Sequence, residues 1–269
     1  MIWAVPESSE RERLRTTFDD VPELFDRARP SYPPAVFNDL VALAELPAAA
    51  RVLEIGCGTG QATIPLARRG YRITCIELGA QLAAVARERL ARFPAVEVIN
   101  ASFETWRSTE AGFDAVVAFT AFHWVDPDLR YAKSALLLRS EGMLAVIETK
   151  HVLPEGGDRF FAEVQEDYVA LVPGADDGPP PHPDDVPDLG DEIDASGVFR
   201  TIAAQRYLWD VTYTADDYIA VLDTYSGHRA LDDDTRGRLY ERIRRRIEAR
   251  PESTVRKTYL ATLNVAQRL

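Results

Sequence analysis

Three stretches of the 269-residue sequence predict an α/β fold built on a mostly parallel sheet. In the first, Val52, Leu53 and Ile55 form a short apolar run that ends in Gly56-Cys57-Gly58-Thr59-Gly60, after which apolar residues recur at helical spacing as far as Gly70. That pattern is a buried strand, a tight glycine turn and a helix closed by glycine. The second is Phe-Asp-Ala-Val-Val-Ala-Phe over residues 113–119, nearly all apolar, as a central parallel strand covered on both faces should be. The third is the alternation of such runs with helical patterns, which argues for crossover connections in a parallel sheet.

The elements follow in order. Residues 1–20 are charged, with few apolar anchors, and read as a flexible segment or a loosely docked helix. Residues 21–29 suit a short helix. Pro30-Ser31-Tyr32-Pro33-Pro34 then forces an extended turn, because proline restricts both itself and its predecessor. Val36, Phe37, Leu40, Val41 and Leu43 give residues 35–45 helical spacing, ended by Pro47. Residues 71–76 alternate and are β-branched, a second strand that ends at Glu77; residues 78–92 read as an amphipathic helix. Residues 96–99 make a third strand. Pro127 opens a helix through Leu138, and Gly142 turns the chain into a fifth strand over 143–148. From Lys150 the pattern changes. Residues 159–171 look helical, and 173–190 are dense in Pro, Asp and Gly, a loop or mobile segment. Residues 191–196 are the tail of a helix closed by Gly197, 198–213 are strand-like, 216–225 and 233–249 are helical, and 254–265 form a last strand.

Composition narrows the function. The net charge of −12 disfavours general binding to a phosphate backbone, so nucleic acid is not expected as a partner. The basic run Arg242 to Arg250 is interleaved with Ile243, Ile247 and acids, and reads as a solvated helix face. Cys57 and Cys75 are the only cysteines, too few for a disulfide framework and suited to a reducing cytosol. The first residues lack a basic start with a long apolar core, so no signal peptide is expected. No apolar run is long enough to span a bilayer.

The glycine spacing separates ligand classes. A dinucleotide loop wants G-x-G-x-x-G, whereas here Gly56, Gly58 and Gly60 alternate and Gln61 follows; no Gly-Lys-Ser/Thr makes a P-loop. Glu54, just before the loop, would repel phosphate and suits a cationic ligand. A structural glycine turn or another nucleotide site remains the alternative. Glu77 falls about 20 residues beyond the loop, where a doubly wound fold places a carboxylate for ribose hydroxyls; an exposed strand-end acid is the other reading.

Glu54-x-Gly56-x-Gly58-x-Gly60 after a strand resembles the first motif of class I S-adenosylmethionine (SAM) methyltransferases. Phe25-Asp26-Arg27-Ala28-Arg29-Pro30-Ser31-Tyr32-Pro33 upstream and Ala121-Phe122-His123-Trp124-Val125 after the fourth strand extend the resemblance to a bacterial small-molecule group, the relatives of trans-aconitate and ubiquinone-biosynthesis methyltransferases. It covers most of 21–269 and is strongest over 51–127. It implies a Rossmann-like seven-stranded sheet of order 3-2-1-4-5-7-6 with the last strand antiparallel. A single domain over 21–269 would carry an N-terminal lid (21–45) and cap insertions near 150–190 and 214–250. It also implies that Gly56 and Gly58 hold the methionine part of SAM and that Glu77 holds the ribose, with Glu54, Cys57, Gly60, Gln61 and Leu78 also among the cofactor-binding residues. Ser102 and Phe103 would flank the adenine, and Phe119 and Thr120 would lie under the methionine and sulfonium. Many relatives have an acid where Ser102 stands. Arg29 and Tyr32 would contact the SAM carboxylate or the substrate, or else form a proline-bracketed turn with a packed tyrosine.

A SAM methyl is already electrophilic, so the protein must chiefly position a nucleophile. His123, after the fourth strand, is the candidate base for a protonated acceptor; packing of the loop is the alternative. His151, His182 and His228 lack metal-ligand spacing, and no metal is expected. No Asn/Asp-Pro-Pro-aromatic segment follows the fourth strand, which disfavours methylation of nucleic-acid bases. The expected function is cytoplasmic methyl transfer to a small-molecule acceptor, O-methylation foremost, giving S-adenosylhomocysteine, by a monomer or homodimer away from membranes. C- or N-methylation of a natural product, cyclopropane-type lipid chemistry, and a catalytically silent SAM-binding protein are the other readings. The acceptor is not legible in the sequence.

Overall fold

The computed structural model describes residues 8–108, 112–172, 174–175 and 178–269. Seven strands, β1 (Arg51–Ile55), β2 (Arg72–Glu77), β3 (Val96–Asn100), β4 (Phe113–Phe119), β5 (Leu138–Val152), β6 (Phe199–Thr214) and β7 (Thr254–Arg268), form one sheet in the order β3-β2-β1-β4-β5-β7-β6. β2 pairs parallel with β1 and β3, and β4 pairs parallel with β1 and β5. β7 runs the other way. Asn264 reaches Val146 and Arg268 reaches Leu138, so residue numbers fall along β7 as they rise along β5. The Leu269–Val198 and Arg200–Gln267 contacts show the same opposition to β6. The expected order and the antiparallel last strand are both present.

The chain divides into two compact units. The first comprises Met1–Pro30, Lys150–Pro187 and Leu208–Leu260; the second comprises Ser31–Thr149, Asp188–Tyr207 and Ala261–Leu269. The second unit holds β1 to β4 and a core of Leu53, Ile55, Val116, Ala118, Phe122, Leu144 and Val146, completed by Phe199 and Ala266. These strands read as continuous apolar runs because helices cover both faces of a parallel sheet. The helix Pro127–Leu137 starts where the sequence places it. Asp126 accepts the Asp128 N–H, and Pro127 sits at a position whose own N–H would have no partner in the helix.

The first unit packs the helices Phe160–Glu163, Gln165–Leu171, Ala215–Leu222 and Asp233–Glu248 around Phe160, Phe161, Tyr218, Leu239, Ile243 and Ile247. Ile243 and Ile247 form the apolar stripe of a helix whose arginines pair with acids, Arg245 with Glu241 on the exposed face and Arg246 with buried Asp167; Arg250, just past its end, pairs with Asp158.

Four expectations need correction. The fifth strand is longer than 143–148: Leu138 pairs with Phe113 and Met143 with Ala115, and the residues between them bulge at Glu141 (φ 58°) and Gly142 instead of ending the strand. The helix expected over 159–171 is two helices that meet at Val164. The helix expected over 216–225 stops at Leu222, and a short helix, Ser226–Arg229, follows it. The segment 173–190 contains a 3-10 turn, Pro183–Asp185, and Pro181 accepts the Leu153 N–H. Part of the flexible segment expected over 1–20 lies outside the described residues; Ser8–Leu14 is a helix.

Among the described residues no helix is long and apolar enough to cross a membrane, and no group of His, Cys, Asp and Glu is arranged to hold a metal ion.

Asn264 is fully buried in the second unit. Its side-chain oxygen accepts the Leu189 N–H (2.9 Å) and its amide donates to Val146 O (3.3 Å). Asn264→Ala removes both bonds and should cost about 2 kcal/mol in denaturant unfolding. A loss under a few tenths would mean that these bonds do not hold the Leu189 loop.

Candidate active site

The glycine loop is shaped by backbone geometry and then fixed by neighbours. Gly56, Gly58 and Gly60 have φ of 66°, 56° and 85°, a region in which a side chain is strained. At Gly56 space matters as well: a Cβ there would stand 2.6 Å from the Cβ of Ala121. The loop and the segment after β4, two of the three pieces that carry the resemblance, are therefore in contact.

Glu77 ends β2 with its carboxylate against the loop. One oxygen accepts the Gly58 N–H and the other accepts the Gly79 N–H, both at 2.8 Å. Asn100 at the end of β3 donates to the backbone oxygens of Glu77 and half-buried Leu78 (3.0 and 2.9 Å). Glu77 is thus part of the loop's own scaffold, a role its position in the sequence did not reveal.

Beneath the loop lies Glu54, buried, with Oε1 lacking any hydrogen-bond partner. Burial, partly offset by the Thr63 hydroxyl and reinforced by the Glu77 charge, lifts its carboxyl from 4.5 to about 7. Cys57 is buried beside Cys75. That hydrogen bond, together with burial, holds its thiol well above the usual range, so it stays protonated and is no nucleophile.

Tyr32, Phe119 and Thr120 come together in the second unit. The Tyr32 ring packs edge-on to Phe119 (5.1 Å between centroids), and its hydroxyl lies 2.8 Å from Thr120 Oγ1. Thr120 has φ 53°, rare for a β-branched residue, and its N–H is held by Ile147 O. Arg29 belongs to the first unit, where its guanidinium donates to Thr224 Oγ1 and O (2.8 and 2.9 Å) and lies over the Tyr225 ring.

Ser102 closes a turn with Thr105. Phe103 is a core side chain, buried among Ile76 and Val125, so its ring is committed to packing. Lys133, from the helix Pro127–Leu137, donates to the backbone oxygens of Phe103, Glu104 and Trp106 and clamps this loop. No sequence motif singled it out.

His123 lies in a 3-10 turn (Phe122–Trp124) just beyond β4, with Nδ1 2.9 Å from Glu148 Oε2 on β5. A carboxylate there accepts from Nδ1–H and leaves Nε2 as the basic nitrogen. Glu148 Oε1 is buried without a partner. The sequence offered no signal for Glu148, which is 25 residues from His123 in the chain. A surface groove of about 430 Å³, lined among others by Arg51, Arg72 and Glu97, sits at the opposite, amino ends of the strands. Open α/β sheets bind ligands at the carboxyl ends, so the candidate site is the edge with the glycine loop.

Glu54 gives a pH signature. Its folded pKa is raised, so it holds a proton up to about 7 where the unfolded chain releases it at 4.5. Stability therefore falls as pH rises through that interval and stays lower above it. Glu54→Gln should remove this component, so that the variant gains on the wild type with rising pH in denaturant titrations. Parallel curves would show that Glu54 is ionised in the fold.

Comparison with known proteins identifies the frame. Residues 52–142 match the methyltransferase domain family. An uncharacterized methyltransferase of Mycobacterium tuberculosis is 33% identical over 138 residues, 51% of this chain and 54% of that protein, so the chain spans about half the length of this relative. The trans-aconitate 2-methyltransferase of Rhodopseudomonas palustris is 28% identical over 208 residues, 75% of each chain. The malonyl-[acyl-carrier protein] O-methyltransferase of Geobacter sulfurreducens is 31% identical over 126 residues, 46% of this chain and 45% of that protein. A solved structure from Anaeromyxobacter dehalogenans, proposed to be a type II methyltransferase, shares the fold with a TM-score of 0.61, 23% identity and coverage of 88% and 97% of the two chains. Residues 52–142 are thus similar to the methyltransferase domain family, and they lie in a sheet whose strand order belongs to a fold shared with the Anaeromyxobacter dehalogenans structure.

Proposed function

We propose that the protein transfers a methyl group from SAM to a hydroxyl of a small molecule and releases S-adenosylhomocysteine. The observation that carries this reading is the close approach of Gly56 to Ala121, which joins the glycine loop to the segment bearing His123. The residues present fit SAM. The unpartnered Oε1 of buried Glu54 is an acceptor for a cationic group, and the Glu77 carboxylate stands at the end of β2, where ribose hydroxyls are held in doubly wound sheets. The loop residues Gly56, Cys57, Gly58, Gly60 and Gln61 would take the methionine part. Leu78, Ser102 and the backbone around Phe103 would border the nucleoside, and Tyr32, Phe119 and Thr120 would border the sulfonium.

SAM brings an electrophilic methyl, and the remaining work is the protein's. A hydroxyl acceptor must lose its proton, and His123 Nε2 is the base for it. Glu148 fixes the tautomer and orientation of that imidazole and compensates the charge it acquires. The Geobacter sulfurreducens relative is named for O-methyl transfer, which supports oxygen as the acceptor atom. In this reading the enzyme is cytoplasmic, acts as a monomer or homodimer, and has neither nucleic acid nor membrane as partner.

Calorimetric titration with SAM and S-adenosylhomocysteine tests the cofactor. Glu77→Gln should weaken binding at least tenfold, about 1.4 kcal/mol. A folded wild type that binds neither ligand ends the reading.

With an acceptor identified from labelled SAM, His123→Gln should lower kcat by about 10²-fold or more while SAM affinity stays unchanged. Glu148→Gln should lower kcat less than His123→Gln does, again with SAM affinity unchanged. Wild-type turnover in His123→Gln would reduce the pair to packing.

A further inference from the structure

The first unit contains a buried cation that the methyl-transfer reading does not use. Lys257 on β7 is 1% exposed. Its ammonium sits among the rings of Tyr218, Tyr225 and Tyr259, at 5.6, 4.9 and 4.9 Å from their centroids. Its one hydrogen bond is to the Tyr225 hydroxyl, at 2.8 Å. An ammonium has three donors, and among the described residues no carboxylate meets the other two.

A second cation stands against the same phenol. Arg29 lies 4.4 Å from the Tyr225 ring centroid, with Nε and Nη2 committed to Thr224. The hydroxyls of Tyr213 and Tyr259 are joined at 3.0 Å. His151 is held neutral by burial and by the Lys257 charge, so it offers no counter-charge. Taking an ammonium out of water costs several kcal/mol unless it is paired, and ring faces recover only part of this. Among the described residues the cluster is therefore a set of N–H and O–H donors with two positive charges and no carboxylate.

We propose that Lys257, Tyr225 and Arg29 form a receptor for the carboxylate of a small organic acid. Two in-plane acceptor oxygens suit one ammonium and one phenol donor. With Nε and Nη2 donating to Thr224, Arg29 adds its charge and its remaining Nη1 donors to the site. Of these residues Arg29 and Tyr225 are half-buried, and a ligand would enter past them. The proposal rests on the first unit alone and does not require the methyltransferase reading.

Acetate, succinate and citrate, with inorganic phosphate as comparison, are titrated calorimetrically into the full chain, its Lys257→Met and its Tyr225→Phe variants, with circular dichroism reporting folding. At least one of the three acids should bind the wild type more tightly than phosphate and at least tenfold more weakly to Lys257→Met, with SAM binding unchanged. If Lys257→Met does not fold, Tyr225→Phe, which keeps the ring, carries the comparison with the same expected direction. The proposal is overturned if none of the acids binds the folded wild type, if they bind the variants equally well, or if phosphate binds better. It is also overturned by a tyrosinate absorbance band at neutral pH that Tyr225→Phe abolishes, which would show that the phenol itself neutralises Lys257. Loss of SAM binding with carboxylate binding intact would count against the methyl-transfer reading only.

Discussion

The candidate site depends on one carboxylate accepting two backbone N–H groups. Glu77 ties the glycine loop after β1 to the start of the chain after β2, through Gly58 and Gly79. Loops that leave neighbouring parallel strands have no ladder bonds to each other, so side chains must hold them. Here the tethers form a series. Asn100 grips the backbone behind Glu77, Lys133 clamps the loop after β3, Glu104 accepts the Asp126 N–H at the start of a helix, and Tyr32 meets Thr120. Each tether fixes one loop against an element distant in sequence. A site built this way is ordered before any ligand arrives, and less of the binding free energy is then spent on ordering loops.

What the sequence revealed follows from the range of the forces involved. β1, β4 and the glycine turn are local patterns, with apolar runs fixed by burial and glycines fixed by backbone dihedral, so they stand in the sequence as they stand in the fold. Gly56 was legible as a glycine that must be glycine, though not that Ala121 is what it makes room for. The ends of elements were less legible. β5 runs past Gly142 because its pairing with β4 absorbs the bulge, and that is a tertiary effect.

The pairings between distant residues were not legible at all. Nothing local to Glu148 distinguishes it from a strand-end acid until β5 lies beside β4 and brings it to His123. No motif singled out Lys133 or Lys257 in the sequence. Phe103 shows the converse. The resemblance implied a flank for the adenine, and the ring has core packing partners that the motif did not announce. Motif position gives the segment; packing decides which atoms of the segment face a ligand.

Glu54 shows how a burial penalty can favour one charge over another. An ionised carboxylate with an unpartnered oxygen in a dry site is costly, and the raised pKa is the protein's response: near neutrality the group can be carried uncharged. A cationic group brought to Oε1 reverses that balance, because its field favours the ionised form and the freed proton leaves to solvent. An anionic group meets the opposite field, from Glu54 and from Glu77 beside it. In the proposed function the loop would therefore select by charge as well as by shape: a glycine turn that elsewhere would cradle phosphate is here backed by two acids, Glu54 and Glu77.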